Sequence, residues 1–275
     1  MNSFIPITIS LLPGETLTDA VPAQASSTIV TGTDGLDAGE ITINTDSETI
    51  PGYWARPADP EKRPVVLVVM EIFGLHAYIR DVCRRLAKQG YVAVAPELLI
   101  RQGDVTQFTE IEPIRKIAYS VPDTQARADL DAAVRWASAH GNGDTRRLGI
   151  TGFCWGGRAV WLYSTHNPDL KAGVAWYGRL TGEATQAMPR WPVDVAGELN
   201  APVLGLYGEQ DAGIPLDTVD RINALLKEAG SPSHIVVYPG AEHGFHADYR
   251  PSYQRKAATE GWERMLGWFR ENGVG

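Results

Sequence analysis

Three residues of this 275-residue chain, Cys154, Asp211 and His243, are of the types that together perform acyl transfer through a thiol. Cys154 stands in Gly152-Phe153-Cys154-Trp155-Gly156-Gly157, directly after the apolar run Leu148-Gly149-Ile150-Thr151. The pattern G-x-nucleophile-x-G between a strand and a helix is that of a nucleophile elbow. Flanking glycines relieve the clashes of a sharp turn, and the turn lifts the central side chain off the sheet. A thiol in that position faces the N-terminus of the next helix, whose partial positive charge favours the thiolate. The alternative is a buried cysteine at a tight strand–helix junction.

An elbow nucleophile needs an acid and then a histidine further along the chain, each just past a strand. The run Val203–Tyr207 leads into Gly208-Glu209-Gln210-Asp211, and Ile235–Tyr238 leads into Pro239-Gly240-Ala241-Glu242-His243. The order Cys154, Asp211, His243 therefore fits, with each residue at the strand end where open parallel sheets gather their sites. Asp211 could instead cap a helix starting near Leu216, and Glu209 could serve as the acid.

These residues need a frame to hold them. The segments 41–44 and 50–56 read as two strands of a meander, with Pro51-Gly52 suited to a bulge. Val65–Met70 is continuously apolar, as expected of a central parallel strand covered on both faces. Ile79, Val82, Cys83, Leu86 and Ala87 then recur at helical spacing, which places Cys83 in the core. Further strands are expected at 91–95, 147–151, 172–177, 203–207 and 234–238. Helices are expected at 123–137, with Asp123 as cap, and at 155–165, 216–229 and 253–271. Strands alternating with helices predict an α/β fold with a mainly parallel sheet in one domain, residues 40–275. A short insertion at 100–122, with a helix carrying Ile114, Ile117 and Ala118, and an irregular stretch at 178–200 are candidate lids or walls. Trp176, Tyr177, Trp191 and Tyr253 fit a pocket lining or the core equally well.

Residues 1–39 read as an acidic, turn-rich extension lying over the core. Phe4–Leu12 is apolar and Ala23-Gln24-Ala25 has a small-x-small form. The first basic residue is Arg56, however, so the pattern argues against a secretory leader. A net charge of -8 argues against nucleic acid or an anionic membrane as partner. No apolar run approaches the roughly 20 residues that span a bilayer. The two cysteines offer no disulfide framework, which fits a reducing, cytoplasmic setting. No dinucleotide or phosphate-binding glycine pattern occurs, so no cofactor is expected. His243, His246 and Asp248 lack the further ligands a metal would need, so none is expected either.

With these residues placed, the chain from about Ile41 to Phe269 resembles the dienelactone hydrolases, the carboxymethylenebutenolidase branch of the α/β-hydrolases. The resemblance is carried by "EIFG" (71–74), "GFCWGG" (152–157), "LGLYGEQD" (204–211) and "HGF" (243–245). It implies an α/β-hydrolase fold with an eight-stranded, mainly parallel sheet, and hydrolysis of an enol lactone through a thioester. Cys154 would attack the carbonyl, and His243, oriented by Asp211, would manage the proton. The backbone N–H groups of Ile72 and Trp155 would form the oxyanion hole. The resemblance also gives Glu71 a part in activating the cysteine when substrate binds, where the plainer reading is a bond to backbone or to an arginine.

The lactone of that family carries a carboxylate, which calls for arginine. Arg115 and Tyr119, one helical turn apart, match an arginine–tyrosine pair of the family's site. A second family arginine, four residues past the histidine, is Ala247 here, and Arg250 and His246 are the nearest replacements. A solvated lid residue is the plainer reading of Arg115, and more so of Arg101 and Arg158. The expected partner is a small lactone or ester; the oligomeric state stays open. A non-catalytic binder that senses a ligand or an oxidant through the same thiol is the alternative.

Overall fold

The computed structural model describes residues 11–24 and 26–275. The segment Phe4–Leu12 therefore lies outside the described residues except for its last two, and Ala25 lies outside them too.

Eight strands form one sheet in the order β1-β2-β4-β3-β5-β6-β7-β8. They are β1 (Leu36–Asn44), β2 (Thr49–Pro57), β3 (Arg63–Val69), β4 (Val92–Pro96), β5 (Gly143–Phe153), β6 (Leu170–Trp176), β7 (Val203–Gly208) and β8 (His234–Tyr238). β2 runs antiparallel to both β1 and β4, and every other pairing is parallel. The helices are α1 (Ala77–Lys88), α2 (Ile111–Ala118), α3 (Asp123–Ala139), α4 (Trp155–His166), α5 (Pro192–Val195), α6 (Leu216–Glu228) and α7 (Arg255–Glu271). α3 to α6 touch one another in turn along the sheet, while α1 and α7 cover its other face. This is the α/β-hydrolase fold.

The central strands are apolar because helices cover both faces. From Val65 to Met70 no side chain is exposed. Two local expectations fail. No bulge forms at Pro51-Gly52, where β1 and β2 stay in register (Thr42 opposite Pro51, Ile41 opposite Gly52). Asp123 does not cap α3, whose N-cap is Pro122. Its carboxylate instead accepts two hydrogen bonds from Arg158, at 2.6 and 2.9 Å.

The chain before β1 is tied to α1. The Ala77 amide donates to the Thr16 carbonyl at 2.8 Å. Arg84 donates to both oxygens of Glu15, at 2.5 and 3.2 Å, and is 1% exposed. The Thr31 amide donates to Asp81 and the Gln24 amide to the Tyr249 carbonyl. Polar residues of α1 are thus buried by this arm together with the sheet, where the Tyr53 hydroxyl accepts from Arg84 at 3.0 Å. Cys83, on the apolar face of α1, is fully buried, and burial pushes its thiol well up. Among the described residues no helix is long and apolar enough to cross a membrane.

Candidate active site

β5 ends at Phe153 and α4 begins at Trp155, leaving Cys154 alone between them with φ 55° and ψ -111°. A non-glycine residue with positive φ is strained, and packing must hold it there. That packing explains the glycines on either side. A Cβ on Gly152 would lie 2.3 Å from the Gly156 carbonyl oxygen, and one on Gly156 would lie 2.4 Å from that of Val69. Only bare backbone lets α4 start this close to β3. The Cys154 amide donates to the Trp176 carbonyl at 3.0 Å, fixing the turn against β6.

Asp211 follows β7 and His243 follows β8, and the fold brings both to Cys154. His243 Nδ1 lies 2.7 Å from Asp211 Oδ2, an oxygen buried beneath the ring. That bond leaves Nε2 as the ring nitrogen available to the thiol. Burial by itself would lower the pKa of His243. The neighbouring Cys154 sulfur and the Asp211 carboxylate outweigh it and push the value up to about 10. Asp211 does not cap α6, whose N-cap is Pro215. It also accepts from the Gly213 amide at 2.9 Å. Glu209 turns away and accepts from the Gly240 amide. The edge of the Tyr177 ring packs on His243, with centroids 5.2 Å apart.

Glu71, just past β3, is fully buried and accepts from the Tyr249 hydroxyl at 2.8 Å and from Arg250 at 3.2 Å. His76 Nε2 stands 3.6 Å away, beyond hydrogen-bonding distance. Burial would raise the pKa of this carboxyl. His76, the Arg250 charge and the Tyr249 hydroxyl together reverse that and lower it to about 2. Among the described residues Glu71 makes no hydrogen bond to Cys154; its carboxylate is engaged by the arginine and the tyrosine.

Cys154, Asp211, His243 and Arg250 line a cleft of about 970 Å³. Ile72 and Trp155 line it beside Cys154, and neither amide donates to a turn, loop or side-chain acceptor among the described residues. Arg115 and Tyr119 reach it from α2 and its C-cap, and Arg250 from the loop past His243. Arg115 is exposed and paired with Glu112 at 2.8 Å. His246 does not reach the cleft. It is buried, its Nδ1 lies 2.6 Å from the Tyr78 hydroxyl, and burial holds it neutral. Arg101 pairs with Asp129 and Glu48 away from the site. Arg158 is a cleft residue after all. It is not solvated, however, because Asp123, the Arg190 carbonyl and the Trp191 ring enclose its guanidinium.

Sequence reasoning did not single out Arg179, Gln210, Ile214 or Val21, all of which line the cleft. Arg179 falls in the irregular stretch already marked as a wall, and Val21 comes from the arm. Among the described residues no group of three or more His, Cys, Asp or Glu is placed to hold a metal, and Asp248 pairs with Arg85.

Comparison with known proteins agrees with this geometry. The model of the dienelactone hydrolase family matches residues 50–273. Two relatives carry the name "Putative carboxymethylenebutenolidase". The one from Methylorubrum extorquens is 56% identical over 254 residues, 92% of this chain and 87% of that protein. The one from Yersinia pestis is 53% identical over 244 residues, covering 88% and 91%. The crystal structure of a "Putative Dienelactone Hydrolase" from Klebsiella pneumoniae superposes with a TM-score of 0.84 at 54% identity, covering 86% of this chain and 98% of that one. With an elbow, a cleft at the strand ends and kinship over nearly its whole length, the chain belongs to the dienelactone hydrolase family, hydrolases of lactones and esters.

Proposed function

We propose that this protein hydrolyses an enol lactone, or a related activated ester, with Cys154 as nucleophile and a thioester as intermediate. The observation that carries the reading is the strained elbow holding Cys154 beside an imidazole whose other nitrogen is bonded to buried Asp211.

A protonated His243 beside the sulfur pairs with a thiolate. The thiolate adds to the substrate carbonyl, and the resulting oxyanion accepts hydrogen bonds from the Ile72 and Trp155 amides. Collapse breaks the acyl–oxygen bond, leaves the acyl group on sulfur and gives the enolate oxygen the proton from His243 Nε2. The neutral imidazole then takes a proton from water, whose oxygen attacks the thioester. The second tetrahedral species expels the thiolate and releases the carboxylic acid, restoring the starting pair. Asp211 holds the ring in one orientation throughout. In this scheme His243 already holds the thiol's proton, so Glu71 acts not as its base but by holding Arg250 and the Tyr249 hydroxyl in place.

The test is intact mass spectrometry after brief exposure to an activated ester and to a dienelactone, with wild type and Cys154→Ala. A transient acyl adduct on Cys154, with turnover absent from the variant, is the expected result. Equal background rates in both proteins and no adduct would remove the hydrolytic role of Cys154 and favour a binder.

A further inference from the structure

Four guanidinium-bearing residues line the cleft, and three of them are already engaged. Arg158 is saturated by Asp123, the Arg190 carbonyl and Trp191. Arg250 holds Glu71, and Arg115 pairs with Glu112. Arg179 alone has neither a carboxylate within 4.0 Å nor a hydrogen-bond partner among the described residues, and it is exposed on the cleft wall.

Its backbone is built to hold it there. From Ala172 to Leu180 every residue is buried except Arg179. Tyr177 has φ 38°, a strained value for an aromatic residue, and its amide donates to the Leu206 carbonyl at 2.9 Å. A Cβ on Gly178 would lie 2.3 Å from the Arg158 nitrogen, so this turn is pressed onto the first turn of α4, next to Cys154. Leu180, 1% exposed, anchors the chain again. A rigid turn between two anchors thus presents one cation to the cleft, two residues past the ring that packs on His243.

We propose that Arg179 is the specificity-determining cation of this site: it receives a carboxylate on the acyl substrate. The proposal rests on the hydrolase reading for its substrate. Arg250 already spends one guanidinium nitrogen on Glu71, a fully buried carboxylate that would lose its charge partner if Arg250 turned wholly to the substrate. Arg179 gives up nothing but water.

The experiment compares two thiol probes of matched shape, neutral N-ethylmaleimide and anionic maleimidopropionate, by their labelling rates at Cys154. Cys83 is fully buried and does not compete. In wild type the anionic probe is expected to gain on the neutral one, and Arg179→Gln should lower the anionic-to-neutral ratio roughly tenfold, the size of one charge-assisted pair. Arg179→Lys should restore part of it. Lys171→Gln, which removes a cation outside the cleft, should leave the ratio unchanged. A ratio that moves less than about twofold in Arg179→Gln, or falls as far in Lys171→Gln, overturns the assignment. Labelling needs no turnover, so failure to hydrolyse any ester would sink the hydrolase reading and leave this result to stand by itself.

Discussion

Replacing Arg250 by methionine strips the one formal cation from Glu71, and the consequence can be worked from the site. A carboxyl whose pKa falls from 4.5 to about 2 has its anion favoured by roughly 3 kcal/mol in net, even though burial opposes it. The Tyr249 hydroxyl remains in the variant, but His76 is too far away to hydrogen bond. Breaking a buried pair on one side costs about 3–5 kcal/mol, and Arg250 is partly exposed, so roughly 2–4 kcal/mol is expected at pH 7. For a chain of this size that lowers Tm by roughly 5–12 °C. In wild type the depressed folded pKa of Glu71 gives stability that is present above about 4.5 and lost as pH falls towards about 2. In Arg250→Met the carboxyl keeps its Tyr249 bond but loses the Arg250 charge, so its folded pKa rises towards that of the unfolded chain and the gap to wild type narrows as pH falls below about 4.5. Thermal melts at pH 7.5 and pH 3.5, with the double variant Glu71→Gln/Arg250→Met alongside, read this directly. The double variant should recover at least half of the lost stability. A deficit that is equal at both pH values and not rescued would refute the charge argument, leaving the packing of Arg250 over Phe73 as the cause.

The remaining predictions concern the nucleophile, the elbow and the arm. His243 has its folded pKa raised from 6.5 to about 10, so the stability it contributes is full below about 6.5 and is lost as pH rises through about 10. Because the Cys154 charge is a main cause, Cys154→Ala should move the imidazole titration to lower pH by NMR; an unmoved midpoint would break the coupling. Gly156→Ala places a methyl 2.4 Å from the Val69 carbonyl oxygen, and should cost about 2 kcal/mol or more while abolishing labelling of Cys154 at its normal rate. Melts and thiol kinetics check both, and a variant of wild-type stability would show that α4 can move away from β3. Glu15→Gln takes from the nearly unexposed Arg84 a carboxylate charge and one of its two acceptors there, leaving the amide oxygen, Asp81 and the Tyr53 hydroxyl. It should cost about 1–2 kcal/mol and expose the segment before β1 to limited proteolysis, where unchanged cleavage would count against the arm's anchorage.

The amino-acid pattern by itself determined the sheet and the elbow. The continuous apolar run at 65–70 suits a strand covered on both faces, and a thiol flanked by glycines after the strand at 147–151 points to a tight turn. Helical spacing determined that Cys83 is core. Two things were decided by tertiary structure alone, because they depend on residues far apart in sequence. The first is how charges pair: Glu71 meets Arg250 and Tyr249 across 178 or more positions, Asp123 turns from a cap into the partner of Arg158, and His246 sinks into the aromatic core. A local pattern identifies an arginine but not the carboxylate that will neutralise it, so Arg179 stands out only once the others are seen to be taken. The second is what the arm covers. Arg84 and Asp81 lie outside the apolar stripe of α1, and they are buried because a segment some 50 or more residues earlier folds back over them with the Glu15 carboxylate and the Thr31 amide. Burial of a charge is a property of its neighbours in space, and only the folded chain supplies those.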